Sequence, residues 1–339
     1  MTIRVFLVGF GNVGRSLGEL LLRNPPFPDV EIAGAANSRG SVLVEGPADK
    51  AQLARILSSG ERLEKHPSFR PGLGPVEGAV VSGAHVAMIT LPPSYETGEP
   101  NRSIYRGLLE EEISIITADK TVLALDYHEI IGEARKRCLF IGYRATVAAG
   151  TPALDSARGL RGRGIEELRA VLNASTNYIL GLVEEGYSYK EAVEKAIQAK
   201  LAEPDPRIDL EGYDPAAKLA ILANTLGYRA SLRDITRVPL TEKTEDEVRE
   251  ALRGGKRVKY VAYADFTQGT LKVEPQVVDL SDPLASAVGE DNVIVFKLES
   301  TRIVLRGPAG PAWRTAKVMV TDLIEYAERL EEANLCGCS

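Results

Sequence analysis

Histidine is among the scarcest of the residues that commonly carry catalysis. His66, His85 and His128 are the three in 339 residues, and none has metal-ligand spacing to another or to a cysteine. A histidine-based zinc site is therefore not expected, and neither is a Ser-His-Asp triad. Proton transfer is left to lysines and carboxylates. Cysteine is equally sparse, with three in the chain, too few for a disulfide framework at this length. A reducing, cytoplasmic setting is expected. Basic excess is missing as well: the net charge is −6, so nucleic acid is not an expected partner. No apolar run reaches the roughly 18 residues that span a bilayer, so no membrane association is expected. The N-terminal IRVFLVGFG is too short and too early for a signal peptide and reads as a first strand. Internal repeats and low-complexity segments are also lacking.

What remains is an ordinary globular composition, 44% hydrophobic and 26% charged. The chain is longer than one core usually holds, so two domains are expected. The first third alternates strand and helix. Residues 3–8, 30–37, 84–91, 113–118 and 138–142 read as strands, with helices at 13–24, 49–58 and 101–112. That rhythm predicts a parallel sheet with helices on both faces. Cys138, in an apolar run, reads as core. After residue 146 the pattern changes. A strand at 167–173 precedes helices at 177–186, 189–201 and 215–226, the second opened by a Ser188/Glu191 capping box. Strands at 257–266, 270–280, 293–300 and 302–307 read as successive and antiparallel, and an amphipathic helix at 313–332 follows. This is an α+β pattern.

Gly9-Phe10-Gly11-Asn12-Val13-Gly14 sits between the first strand and the first helix. Gly9 permits a tight turn, Gly11 lets the backbone approach a pyrophosphate, and Gly14 lets helix and strand pack closely. The helix N-terminus then faces the phosphates. An NAD-selective site usually places an acid at the end of the second strand, about 20 residues on. Here that corner reads Asn37-Ser38-Arg39. Arg39, with Ser38 and Lys50 nearby in sequence, suits the 2′-phosphate of NADP, and NAD remains possible.

One further stretch is unusual. Glu203, Asp205, Asp209, Glu211 and Asp214 crowd into 202-AEPDPRIDLEGYDPAAKLAILANTLG-227, and Lys218 follows on an apolar-periodic helix. Asp214-Pro215 reads as N-cap and first helical residue. Lys218 then falls one turn in, where the helix dipole disfavours a cation and Asp214 favours it.

Together with 97-TGEP-100, 117-TADK-120, 145-ATVAAGTP-152, 175-STNYILG-181 and 307-GPAGPAWRTA-316, these stretches resemble the homoserine dehydrogenase family over nearly the whole chain. The resemblance implies a Rossmann-like α/β dinucleotide-binding domain at 1–145, completed by a C-terminal helix at 310–335. It also implies an α+β catalytic and dimerisation domain at 146–309; the remaining 334–339 reads, from its own sequence, as a flexible cysteine-containing tail. No kinase or C-terminal regulatory domain is expected. It implies NAD(P)-dependent interconversion of L-homoserine and L-aspartate 4-semialdehyde, on the route to threonine and methionine. Lys218 and Lys120 lie at the implied reaction centre, one to exchange the hydroxyl proton and the other to stabilise charge on oxygen, with Asp214 fixing Lys218. Glu203 and Asp209 are expected to hold the substrate ammonium, with Thr176 and Asn177 bordering the substrate, its carboxylate on backbone amides near Thr176. Thr90, Thr117, Ala118 and Gly310 complete the expected cofactor cradle. A Na⁺ ion is implied on backbone carbonyls of Arg144, Val147, Ala149 and Thr151, and a homodimer is implied. Apart from the resemblance, Cys336 and Cys338 on the tail read either as two incidental thiols or as an intersubunit disulfide or redox switch. The chain departs from the family pattern at Asp119, Arg144, Ala174 and Lys200-Leu201. Two other readings stand beside this one: a dehydrogenase of another amino-acid semialdehyde, and a non-catalytic NADP-binding sensor.

Overall fold

The computed structural model describes residues 2–203 and 205–335, the last three without their side chains. The chain folds into two compact units, one running to Thr146 and resuming at Gly310, the other spanning Val147–Ala309.

The first unit contains β1 (Ile3–Val8), α1 (Asn12–Arg23), β2 (Val30–Asn37), β3 (Gly40–Leu43), α2 (Pro47–Ser59), β4 (Phe69–Pro71), α3 (Pro75–Val81), β5 (Val86–Ile89), α4 (Asn101–Glu110), β6 (Ser114–Thr117), α5 (Thr121–Lys136) and β7 (Ile141–Gly142). Its seven strands are ordered β4-β3-β2-β1-β5-β6-β7. From β2 to β7 the pairing is parallel. The expected all-parallel sheet needs correcting at one edge, where β3 and β4 run antiparallel. The cause is local. The Asn37 side chain accepts from Arg39 N at 2.8 Å, closing a tight turn that sends the chain straight back. Cys138 also needs correcting. Helix α5 runs on to Lys136, Cys138 takes a left-handed φ of 56° after it, and the thiol is exposed. Strand β7 is correspondingly shorter than expected.

The second unit holds α6 (Ala153–Leu160), β8 (Glu167–Val171), α7 (Ala174–Glu184), α8 (Tyr189–Gln198), α9 (Arg207–Leu210), α10 (Tyr213–Leu226), β9 (Thr236–Arg237), α11 (Lys243–Arg253), β10 (Lys256–Asp265), β11 (Thr270–Asp279), β12 (Asp291–Lys297) and β13 (Arg302–Pro308). Its sheet is ordered β13-β12-β8-β10-β11-β9. The late strands are antiparallel as two hairpins rather than as one meander. Strand β8, far earlier in sequence, separates them and pairs with both β10 and β12. Its Leu168, Ala170 and Val171 are fully buried, which suits a central strand. The α8 capping box forms as expected, with Ser188 accepting from Glu191 N.

Helix α12 (Ala312–Leu335) returns to the first unit and packs on α1. Its Ala316, Met319, Leu323 and Tyr326 recur at helical spacing and enter the same core as Val5, Leu7, Leu17 and Met88. Among the described residues no helix is long and apolar enough to cross a membrane.

Candidate active site

In the first unit, β1 delivers the glycine loop to the start of α1. Gly9 has φ 103°, a conformation that a side chain would strain. A Cβ on Gly14 would stand 2.2 Å from the Gly9 carbonyl oxygen, so glycine is required there by packing. Gly11 differs: nothing lies within 4 Å of where its Cβ would be. Local packing makes no demand for glycine at that position, while close approach by a ligand does. Gly11 also N-caps α1 without a side-chain hydrogen bond, which leaves first-turn amides for an anion. The residues therefore fit a dinucleotide pyrophosphate. Thr90 supports the loop from below, its hydroxyl 3.2 Å from Gly9 O. Phe10 packs on the core and under the Arg15 guanidinium, 4.6 Å from its ring centre, while Asn12 is exposed and Val13 half-buried.

The adenosine corner lies at the end of β2, beside the loop, since Gly9 N donates to Ala36 O at 3.0 Å. Arg39 is there, 60% exposed at its side chain, paired with Glu64 at 2.7 Å. Ser38 is exposed in the same turn. Lys50 is exposed on the first turn of α2. The Thr117 hydroxyl contacts Tyr105 Oη at 2.5 Å and accepts from Asp119 N at 2.9 Å, so it serves the fold and only its backbone remains for a cofactor. Ala118 N donates to Ile89 O at 2.9 Å, and Gly310 O accepts from the Thr315 hydroxyl at 3.1 Å. Lys120 ends the β6 crossover at the start of α5, half-buried. The carboxyl before it, Asp119, is 2% exposed. Burial pushes its pKa up, against the Thr121 amide that donates to it.

In the second unit the acidic block condenses around one residue that sequence reasoning missed. Asn173, at the end of β8, N-caps α7: its Oδ1 accepts from both Thr176 N and Thr176 Oγ1 at 2.9 Å. Its Nδ2 donates to Asp209 at 2.6 Å and to Asp214 at 2.9 Å. The same Asp214 oxygen lies 2.7 Å from Lys218 Nζ, which also donates to Leu172 O at 2.6 Å. Burial pushes the Asp209 pKa up and the neighbouring Asp214 charge pushes it further, against hydrogen bonds from Ser175 and Asn173. The available signal was an Asn followed three residues later by Thr, ahead of an apolar helix.

Three expectations change. Asp214 is not the N-cap of α10: Gly212, with φ 78°, takes that place, and Asp214 lies inside the first turn. The glycine's left-handed turn sets the helix start earlier, which frees the carboxylate for Lys218. The Thr176 amide is spent on Asn173, so it is unavailable to a substrate carboxylate. Asn177 is 1% exposed and turned inward, donating to Gly289 O at 2.8 Å and accepting from the buried Lys259 at 3.3 Å. Glu203 is exposed, and no hydrogen bond among the described residues joins it to the cluster.

Among the described residues no group of three His, Cys, Asp or Glu side chains could hold a metal, so a cation would rest on main-chain oxygens. Thr151 O already accepts from Ala153 N at 2.7 Å; Val147 is buried and Ala149 half-buried. Arg144 is committed within the first unit, its amide to Asp322 at 2.9 Å and its guanidinium to Asp322 at 2.6 Å and Glu325 at 2.5 Å. Cys336 and Cys338 lie outside the described residues.

Comparison with known proteins follows the same lines. The family model described as homoserine dehydrogenase matches residues 152–324. A homoserine dehydrogenase of Sulfurisphaera tokodaii is 32% identical, over 95% of this chain and 98% of its own. An NAD(+)-dependent homoserine dehydrogenase of Pseudomonas canavaninivorans is 30% identical, over 98% and 99%. A solved structure of a putative homoserine dehydrogenase from Archaeoglobus fulgidus superposes with a TM-score of 0.83 at 27% identity, covering 96% of this chain and 99% of that one. The chain belongs to the homoserine dehydrogenase family of NAD(P)-dependent oxidoreductases.

Proposed function

We propose that the chain interconverts L-homoserine and L-aspartate 4-semialdehyde through the Asp209–Asn173–Asp214–Lys218 cluster. The observation that carries this is Lys218, half-buried yet held by an acid and a carbonyl at one point. Both contacts suit the ammonium, which is the proton donor for aldehyde reduction. In alcohol oxidation the neutral amine form of the same nitrogen accepts the hydroxyl proton and becomes the ammonium. Lys120 stabilises negative charge on the reacting oxygen. Asp209, with Glu203, takes the substrate ammonium, and its carboxylate goes to the amides of Ala174 and Ser175 at the start of α7. A bound nicotinamide dinucleotide supplies the hydride acceptor. Arg39 and Lys50 favour NADP at the adenosine end, with Gly9, Phe10, Gly11, Asn12, Val13, Gly14, Ser38, Thr90, Thr117, Ala118 and Gly310 forming the cradle.

Na⁺ on the carbonyls of Arg144, Val147, Ala149 and Thr151, a homodimer and a cytoplasmic setting complete the proposal. Lys218→Met tests it. The variant should lose at least about 10²-fold in kcat, the usual scale for a positioned proton-transfer group, while still binding ADP. Near-normal kcat would remove Lys218 from the chemistry. A dehydrogenase working through Lys218 should lose turnover in this variant; a dinucleotide-binding sensor has no turnover to lose.

A further inference from the structure

The turn after β2 lacks an acid in sequence, yet the folded chain supplies one there. Glu64 lies in a 3-10 turn at Leu63–Lys65, and its Oε1 accepts from Arg39 Nη1 at 2.7 Å. Asn37 hydrogen-bonds to the same carboxylate. The other oxygen, Oε2, is buried and has no hydrogen-bond partner among the described residues. The segment is held in place, since Arg15 on α1 reaches Ile56 O at 3.3 Å and also Glu61 O. The carboxylate thus lies beside Arg39 in the corner where this fold reads the adenosine ribose, with Oε1 on the arginine and Oε2 turned inside.

From this geometry we infer that Glu64 is a cofactor-specificity residue, which opposes a 2′-phosphate by its charge and by holding Arg39. The inference rests on the dinucleotide reading of the glycine loop. It sharpens the role of Arg39, whose attraction for NADP is offset by the acid beside it. An exposed ion pair of this kind is weak, so a phosphate can take Arg39 from Glu64. What then remains is a carboxylate facing a dianion, and that repulsion sets the selectivity. The chain should therefore accept both dinucleotides rather than exclude one.

The test uses ADP and 2′,5′-ADP as probes, with calorimetric binding to the full chain, so that no turnover is required. Glu64→Gln should raise affinity for 2′,5′-ADP relative to ADP by on the order of tenfold. Arg39→Ala should lower it relative to ADP, and adding Arg39→Ala to Glu64→Gln should cancel the gain. Glu64→Ala serves as the second variant and should shift the ratio the same way. An unchanged ratio in both Glu64 variants would overturn the inference while leaving the dinucleotide site in place. Failure of the unsubstituted protein to bind either probe would overturn the dinucleotide reading and this inference with it.

Discussion

Asn173 satisfies its hydrogen-bonding capacity at one place, and it does so between two carboxylates that repel each other. Its amide lowers the cost of having Asp209 and Asp214 ionised together. Asp209 must be ionised to hold an ammonium, and burial with the Asp214 charge raises its pKa. The acid limb of kcat/KM should therefore lie above the ordinary aspartate range. For stability the sign is the reverse of a salt-bridged acid. A raised folded pKa makes ionised Asp209 a penalty at neutral pH, relieved as pH falls through that pKa. Asn173→Ser separates architecture from chemistry, because serine caps helices about as well as asparagine. It should keep the α7 cap, lower the melting temperature at neutral pH by less than a variant that also removes the cap, lower kcat/KM by about 10- to 100-fold and move the acid limb upward. Asn173→Asp, which adds a third carboxylate, should move the limb further, with activity recovered at higher pH. A pH profile that does not move in either variant would reduce Asn173 to a helix cap.

At the scale of elements, the ends of β8, α7 and α10 make the site, and the sequence foretold these unevenly. The glycine loop and the β1–α1–β2 unit were readable because periodicity and turn residues agree over a short span. The acidic block was readable as a group. Its internal wiring was not: Asn173 and Asp214 are 41 residues apart, and the packing of α10 against the end of β8 joins them. The α10 boundary moved because Gly212, rather than Asp214, takes the left-handed cap position. Glu64 was missed for the same reason as Asn173, since its partner Arg39 is 25 residues earlier. Arg144 was read as a departure that bears on a cation loop, but the structure gives it another task. It pairs with Asp322, whose side chain is fully buried, and so ties the start of the crossover to α12. Asp322→Ala would take the buried partner away from the Arg144 guanidinium and should cost about 3–5 kcal/mol by denaturant unfolding. A loss below about 1 kcal/mol would show that the pair is solvated in solution.

On the scale of the whole chain, α12 closes the first unit with residues contributed more than 160 positions after Thr146, so both ends of the chain serve one core. The proposed homodimer belongs to this scale as well. Sedimentation at micromolar concentration should give about twice the chain's 36.7 kDa. Comparing non-reduced with reduced protein on a denaturing gel then reads any crosslink through Cys336 or Cys338. A monomer mass would contradict the dimer, and a single band unaffected by reductant would contradict the disulfide.

The central claim is that this chain moves a hydride between homoserine and a nicotinamide dinucleotide. The most direct test is reduction of NADP, and separately of NAD, by the purified protein with L-homoserine at mildly alkaline pH. The account predicts homoserine-dependent turnover with both, lowered at least about 10²-fold by Lys218→Met. Tight dinucleotide binding with no homoserine-dependent reduction of either would contradict it and leave a binding protein in its place.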